Sequence, residues 1–375
     1  MAELTEYHQD GRTKKTTYSF FRGENANFHP TDESLTRSGF VRDYVVKNLA
    51  PKEPTISKSS RIVAFGSCFA INIQRYLAER GYNLLTHGRK DTYVSSMGDG
   101  IVNTFAIRQQ FEWAWLGRVP EVELWHGYRA EVFGYDEKIR QATRDVFDNC
   151  DVFIITLGLS EVWFDEPTGS VFWRAVPQEF YDPARHKFRV SSVAENLENL
   201  TEIHKLIREH RPDAQIVFTL SPVPLTATFR DKSCIIANSA SKAILRAALD
   251  EFMRGPTLND DKVFYFPSYE IVNSCFINPM MEDRKHPHDH VIELNMKVFE
   301  RYFCKSGLTD ADVDRAFGRA ALLDYTVARD GHLAVPRKKA PKAGGNVPRP
   351  VILGESRYSR LLRALRRPWS RLRQA

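Results

Sequence analysis

The chain has 375 residues, of which 42% are hydrophobic and 12% aromatic, enough to bury one large core with additional segments. Its five cysteines are odd in number and widely spaced, which argues against a disulfide framework and favours a reducing compartment. The first ten residues are polar and acidic, and no run approaches the roughly 18 apolar residues that span a bilayer. We therefore expect a cytoplasmic protein rather than a secreted or membrane-spanning one.

The positive charge of the chain is concentrated at its end. The whole chain carries +6, whereas residues 337–375 alone, with 12 Lys or Arg and one acidic residue, carry +11, which leaves −5 for the other 336 residues. The composition predicts a flexible linker followed by a basic amphipathic helix over 357–367, with an apolar face of Tyr358, Leu361, Leu362 and Leu365. We expect this tail to bind an anionic membrane surface at the inner side of the membrane. A solvated tail is the alternative, and nucleic acid is a less favoured partner.

Apolar runs alternate with helical patterns along the middle of the chain. Strands are predicted at 62–65, 82–85, 151–157, 215–220 and 262–266. Ser192 and Glu195 form a capping box ahead of one helix, and a second helix is predicted over 237–252. This order predicts an α/β fold with a mostly parallel five-stranded sheet.

The junction between the first of these strands and its helix holds two nucleophiles, Ser67 and Cys68. A helix N-terminus favours a thiolate, an alkoxide or an oxyanion, because unpaired N–H groups and the positive dipole end point at it. The alternatives are that Ser67 only caps the helix and that Cys68 is an unreactive buried residue.

A second cluster near residue 286 supplies a base for such a nucleophile. His286 can accept the proton, and Asp283 can bend back within the turn to orient the imidazole. Pro287 is expected as the first residue of the following helix. His288 and His290 are interpreted as solvated residues of its first turn, and a metal site formed with them is a weaker alternative. A structural turn histidine is the alternative for His286.

The string Gly66-Ser67-Cys68-Phe69-Ala70, together with Asp283-x-x-His286-Pro287, resembles the GSCFA family, a branch of the SGNH (GDSL-like) hydrolases. The resemblance covers about residues 58–305. It implies a flavodoxin-like three-layer α/β/α sandwich and hydrolysis or transfer of an acyl ester, often on a carbohydrate, without a cofactor.

The same resemblance implies roles for single residues. In register with Gly-Asp-Ser, Cys68 falls on the nucleophilic serine and Ser67 on the aspartate, so either residue is a candidate nucleophile. Ser160 replaces the asparagine that donates to the oxyanion, and the backbone of Gly100 and the amide of Asn103 are the next candidates.

Because loops that leave parallel strands share one sheet edge, Ser67, Cys68, Ser160 and Ser221 are expected to line the same crevice. Asn238, Ser241 and Lys242 follow as candidates for substrate contact, although an exposed helix start is the favoured interpretation. The tryptophans within 105–125 are interpreted as core residues, with the floor of a sugar site as the alternative.

These observations divide the chain into an N-terminal extension packed on the core (1–57), a domain that resembles the GSCFA and SGNH hydrolases (58–305), a further extension (306–336) and the basic tail (337–375). The expected function is that of an esterase or acyltransferase, with a carbohydrate ester among the candidate substrates. The alternative is a catalytically silent module that binds a carbohydrate or an acyl carrier at a membrane surface.

Overall fold

The computed structural model describes residues 3–9, 12–18, 27, 29–31, 34–35, 37–96, 100–122 and 136–330. The predicted linker and amphipathic tail at 337–375 lie outside these ranges, as do Trp125 and residues 97–99. The strands in chain order are β1 (Glu3–Gln9), β2 (Arg12–Tyr18), β3 (Arg61–Phe65), β4 (Asn83–Leu84), β5 (Val152–Leu157), β6 (Glu161–Asp165), β7 (His186–Val190), β8 (Gln215–Leu220) and β9 (Val263–Phe266). The α-helices are α1 (Cys68–Glu79), α2 (Tyr93–Ser96), α3 (Thr104–Leu116), α4 (Glu137–Asp148), α5 (Val193–His210), α6 (Cys234–Arg254), α7 (Ser268–Ser274), α8 (Asp289–Phe303) and α9 (Asp310–Asp330).

The central sheet is parallel and runs in the order β4-β3-β5-β8-β9. Taken in chain order these five strands are arranged 2-1-3-4-5, the doubly wound flavodoxin-like topology. All six residues of β5 and all six of β8 are buried, because helices cover both faces of a parallel sheet. The five strands predicted from the sequence are therefore confirmed, and so is the α/β fold class.

Alternate side chains of the sheet pack into two separate apolar layers. Val63 and Phe65 of β3 join a core formed with α3, α4, α5 and α6. Ile62 and Ala64 of the same strand join a second core formed with α1, α8 and α9. This division on either side of one strand confirms the three-layer α/β/α sandwich.

The helices follow the sequence signals with one difference. The capping box of Ser192 and Glu195 begins α5 as predicted. Trp113 and Trp115 of α3 are buried in the first core, which confirms their interpretation as core residues. The helix near residue 287 begins later than predicted. Pro287 forms a bridge with Met280, and α8 begins at Asp289 after His288.

Two antiparallel strand pairs lie outside the central sheet, and residues before β3 add to the second core. β1 pairs with β2, and β6 pairs with β7, each in antiparallel fashion. Phe40 and Val41 belong to the second core, where the rings of Phe40 and Phe317 of α9 lie 4.9 Å apart. Among the helices in the described ranges, none combines the length and the apolar character that crossing a bilayer requires.

Candidate functional site

A cavity of about 520 Å³ opens at the carboxyl ends of β3, β5 and β8. This is the edge where the strand order reverses between β3 and β5, the usual ligand position in such folds. Its lining comes from seven parts of the chain: Ser67 and Cys68; Gly100, Val102 and Asn103; Gly158, Leu159, Glu161, Val162 and Trp163; Phe172, Trp173, Arg174 and Ala175; Phe188; Ser221, Val223, Pro224, Leu225, Thr226, Ala227 and Phe229; Lys285 and His286.

The β3–α1 junction brings Ser67 and Cys68 to this cavity. Gly66 has φ +129°, and a Cβ at this position would overlap the carbonyl oxygen of Thr156 in the neighbouring strand. Glycine is therefore required for the chain to turn here without moving away from β5. The tight turn places the next two residues at the sheet edge.

Ser67 and Cys68 have different surroundings. Ser67 is 4% exposed, and its Oγ accepts the backbone N–H of Phe69 at 3.1 Å, so it caps α1. Cys68 is the first residue of α1 and is partly exposed. Cys68 is thus the more exposed of the two candidate nucleophiles, and it stands where the helix dipole favours a negative charge.

Asp283 and His286 form a hydrogen-bonded pair at the same cavity. His286 Nδ1 lies 2.6 Å from Asp283 Oδ2. The turn is closed by Arg284, which has φ +54°, and by the N–H of Met281 donating to the carbonyl oxygen of His286 at 2.8 Å. The carboxylate holds Nδ1, so Nε2 is the ring nitrogen that would exchange a proton, and His286 lines the cavity.

The charge state of Asp283 suits an orienting role. Partial burial opposes its ionisation, but hydrogen bonds from the backbone N–H and ring of His286, and from the N–H of Lys285, lower the pKa of Asp283 to about 2. The carboxylate is therefore ionised throughout the neutral range and can stabilise an imidazolium.

The three predicted oxyanion donors occupy different positions. Gly100 and Asn103 line the cavity, and Asn103 Oδ1 caps α3 while its Nδ2 makes a long 3.5 Å contact with the carbonyl oxygen of Trp173. Ser160 is placed differently from the expectation. It is fully buried, does not line this cavity, and its hydroxyl donates to Ser241 Oγ at 3.3 Å. Of the three candidates, the structure thus places Asn103 and Gly100 at the cavity, and Ser160 away from it.

Ser221 lines the cavity as expected from its position after β8, with its Oγ accepting the N–H of Val223. The favoured interpretation of an exposed helix start at Ser241 and Lys242 is wrong. Ser241 is fully buried and Lys242 is 2% exposed. The Lys242 ammonium donates to the carbonyl oxygens of Gly158 at 2.6 Å and Ser221 at 2.8 Å.

One wall of the cavity is aromatic, and sequence reasoning missed it. Trp163 of β6 and Phe188 of β7 have ring centroids 5.6 Å apart, and Phe229 completes the group at 4.9 Å from Trp163. Arg174 also lines the cavity and packs against Gly100, where any side chain would overlap its guanidinium. The signals in the sequence were a short run of apolar residues at 162–164 and the alternation of polar and apolar residues at 187–190, both of which favour strands.

His288 and His290 lie apart from the cavity lining, next to one another with ring centroids 5.3 Å apart. His290 is 8% exposed, so the interpretation of a solvated residue is wrong, and burial lowers its pKa to about 4. Within the described ranges, no group of three or more His, Cys, Asp or Glu side chains is arranged to hold a metal ion.

Comparisons with known proteins give a matching family and likenesses to solved structures. The fold is similar to that of an acetyl xylan esterase (Est2A) from the rumen bacterium Butyrivibrio proteoclasticus, at 12% identity and a TM-score of 0.27. The similarity covers 75% of this chain and 66% of the esterase, just under two thirds of its length. A comparison with curated proteins found no match. Residues 61–299, which hold the nucleophile junction, the cavity and the Asp–His pair, match the GSCFA family, and the chain is therefore a member of that family.

Proposed function

We propose that the protein is an esterase or acyltransferase that acts on an acyl ester through a covalent intermediate on Cys68. The observation that carries the proposal is the hydrogen bond of 2.6 Å between Asp283 and His286, because His286 lines the same cavity as Cys68. A nucleophile, a base and a group that orients the base are the three parts that this chemistry requires.

In the proposed reaction the Cys68 thiolate attacks the ester carbonyl carbon, and a C–S bond forms as the carbonyl electron pair moves to the oxygen. The oxyanion then collapses, the C–O bond to the alcohol breaks, and protonated His286 gives its proton to the leaving alkoxide. His286 next removes a proton from water or from an acceptor hydroxyl. That oxygen attacks the thioester and releases the Cys68 thiolate, which restores the starting state.

The choice of Cys68 over Ser67 rests on their surroundings. The Ser67 hydroxyl is buried and occupied as the cap of α1, whereas the Cys68 thiol is partly exposed. For the oxyanion we assign the N-terminal end of α1, the Gly100 N–H and the Asn103 amide, because these groups border the cavity.

A carbohydrate ester is the substrate class that the aromatic wall supports. Trp163, Phe188 and Phe229 offer ring faces on which the apolar face of a sugar ring stacks. Arg174 and Lys285 add hydrogen-bond donors for hydroxyl groups at the same cavity.

The Phe229→Ala substitution tests this substrate class. Loss of one stacked ring should raise KM for an acetylated pyranoside by roughly threefold to tenfold with little change in kcat. KM for vinyl acetate, which has no ring, should stay the same. The matched control is Tyr325→Ala, because Tyr325 and Phe229 are both 57% exposed and Tyr325 lies on α9, outside the cavity lining. Equal KM values for the pyranoside in Phe229→Ala and wild type would remove the stacking assignment.

Incubation with p-nitrophenyl acetate separates an enzyme from a silent binding module. An esterase or acyltransferase should release p-nitrophenolate, and rapid acid quenching followed by peptide mass spectrometry should find an acetyl group on Cys68. Addition of an alcohol then distinguishes transfer from hydrolysis by the appearance of the new ester. A protein that binds the acetylated sugar but yields neither product nor acyl-enzyme would instead support the binding module.

A further inference from the structure

Lys242 of α6 is a buried cation directly beneath the cavity. It is 2% exposed, and its ammonium donates to the carbonyl oxygens of Gly158 and Ser221 at 2.6 and 2.8 Å. Gly158 follows β5 and Ser221 follows β8, which are neighbours in the sheet, and both residues line the cavity. The side chain therefore ties together two strand ends and brings a positive charge to the floor of the site.

A structural tie alone does not account for a lysine at this position. Two carbonyl oxygens can be bridged by a neutral amide, which carries two donors and avoids the desolvation of a charge. Among the described residues, no carboxylate forms an ion pair with Lys242 that would offset that desolvation. A buried lysine retained without an anionic partner is typical of a functional site.

The Cys68 thiol belongs to the same cavity lining as Gly158 and Ser221, whose carbonyl oxygens hold the Lys242 ammonium. Burial lowers the pKa of Lys242 to about 7, and the negative charge of Cys68 opposes that shift. The groups that bind the ammonium are the carbonyl oxygens of Gly158 and Ser221. The other charged or titratable groups that line the cavity are Glu161, Arg174, Lys285 and His286.

We propose that Lys242 is a positioning residue whose ammonium, held by the carbonyls of Gly158 and Ser221, stabilises Cys68 as a thiolate. The effect is electrostatic, since a nearby cation favours the ionised thiol and the thiolate favours the protonated amine. The inference rests on the proposed role of Cys68 as nucleophile. Lys242 would then activate Cys68 in addition to His286 and the dipole of α1.

Alkylation of Cys68 as a function of pH tests the proposal. Mass spectrometry of the Cys68 peptide measures the rate of its modification by iodoacetamide at each pH. We expect the midpoint of this pH dependence to be higher in Lys242→Gln and Lys242→Met than in wild type. A midpoint one unit higher lowers the rate below the midpoint about tenfold. Arg246→Met is the matched control, because it removes a cation one turn further along α6 that binds Glu270, outside the cavity. Equal midpoints in folded Lys242 variants and wild type would overturn the proposal.

A reciprocal measurement avoids substituting the buried residue. Because the coupling acts in both directions, Cys68→Ala should lower the midpoint at which the Lys242 side chain titrates in ¹⁵N NMR of lysine-labelled protein. An unchanged midpoint contradicts the proposal even if the Lys242 variants fail to fold. Neither measurement uses ester turnover, so a shifted midpoint in a protein without esterase activity would support the inference and contradict the proposed function.

Discussion

Replacement of Cys68 by alanine is expected to lower ester turnover by roughly 10³-fold to 10⁶-fold, because no other atom then forms the acyl intermediate. In the wild-type protein, Cys68 should also react with iodoacetamide faster than the other cysteines. Burial raises the pKa of the Cys275 and Cys304 thiols to about 12 and raises that of Cys150 further, so those three should react slowly.

Cys234→Ala provides a close control for Cys68→Ala. Cys234 is also partly exposed and is also the first residue of a helix, α6, but it does not line the cavity. Its replacement should leave turnover unchanged. Ser67→Ala should cost about 1 kcal/mol of stability through loss of the helix cap while keeping much of the activity. Full activity in Cys68→Ala, with its loss in Ser67→Ala, would transfer the nucleophilic role to Ser67.

Replacement of His286 by alanine is expected to lower kcat by roughly 10²-fold to 10⁴-fold, the usual contribution of a positioned general base. The free energy of unfolding should change little, because the side chain is 42% exposed and its partner Asp283 is 48% exposed. Steady-state kinetics and thermal unfolding measured on the same preparations check both expectations. Exposed His87, which lies outside the cavity lining, supplies the control substitution His87→Ala.

Asp283→Asn should have a smaller effect than His286→Ala, since the amide keeps a hydrogen-bonding partner for the ring but no longer stabilises the imidazolium. The pKa of Asp283 is lower in the folded protein than in the unfolded chain. The ionised carboxylate therefore stabilises the fold at pH values above its unfolded-state pKa, and this stabilisation is lost as the pH falls toward 2. The stability difference between this variant and wild type should therefore shrink below about pH 4. Wild-type turnover in both His286→Ala and Asp283→Asn would contradict the hydrolase mechanism.

Local patterns in the sequence were sufficient to predict the central sheet, the junction at Ser67 and Cys68, and the Asp283–His286 pair. Apolar runs predicted the central strands, since strands buried on both faces tolerate few polar residues, and edge strand β4, with exposed Asn83, was predicted from a shorter apolar segment. The spacing of Asp283 and His286 predicted that one side chain can reach the other within a turn, and their hydrogen bond spans three residues. Such features depend on neighbours in sequence, so the sequence carries them directly.

The surroundings of the proposed nucleophile depended on contacts between distant segments, which no local pattern contains. The aromatic wall needs β6 to pair with β7 and Phe229 to arrive from the loop after β8. The direction of the Ser160 hydroxyl follows from Ser241, 81 residues away. A lysine is usually solvated, but α6 begins at Cys234 and places Lys242 two turns inside the helix, where two strand ends present carbonyl oxygens to it. Secondary structure thus follows from short-range periodicity, whereas burial, partner and charge state in the site follow from the packing of the layers.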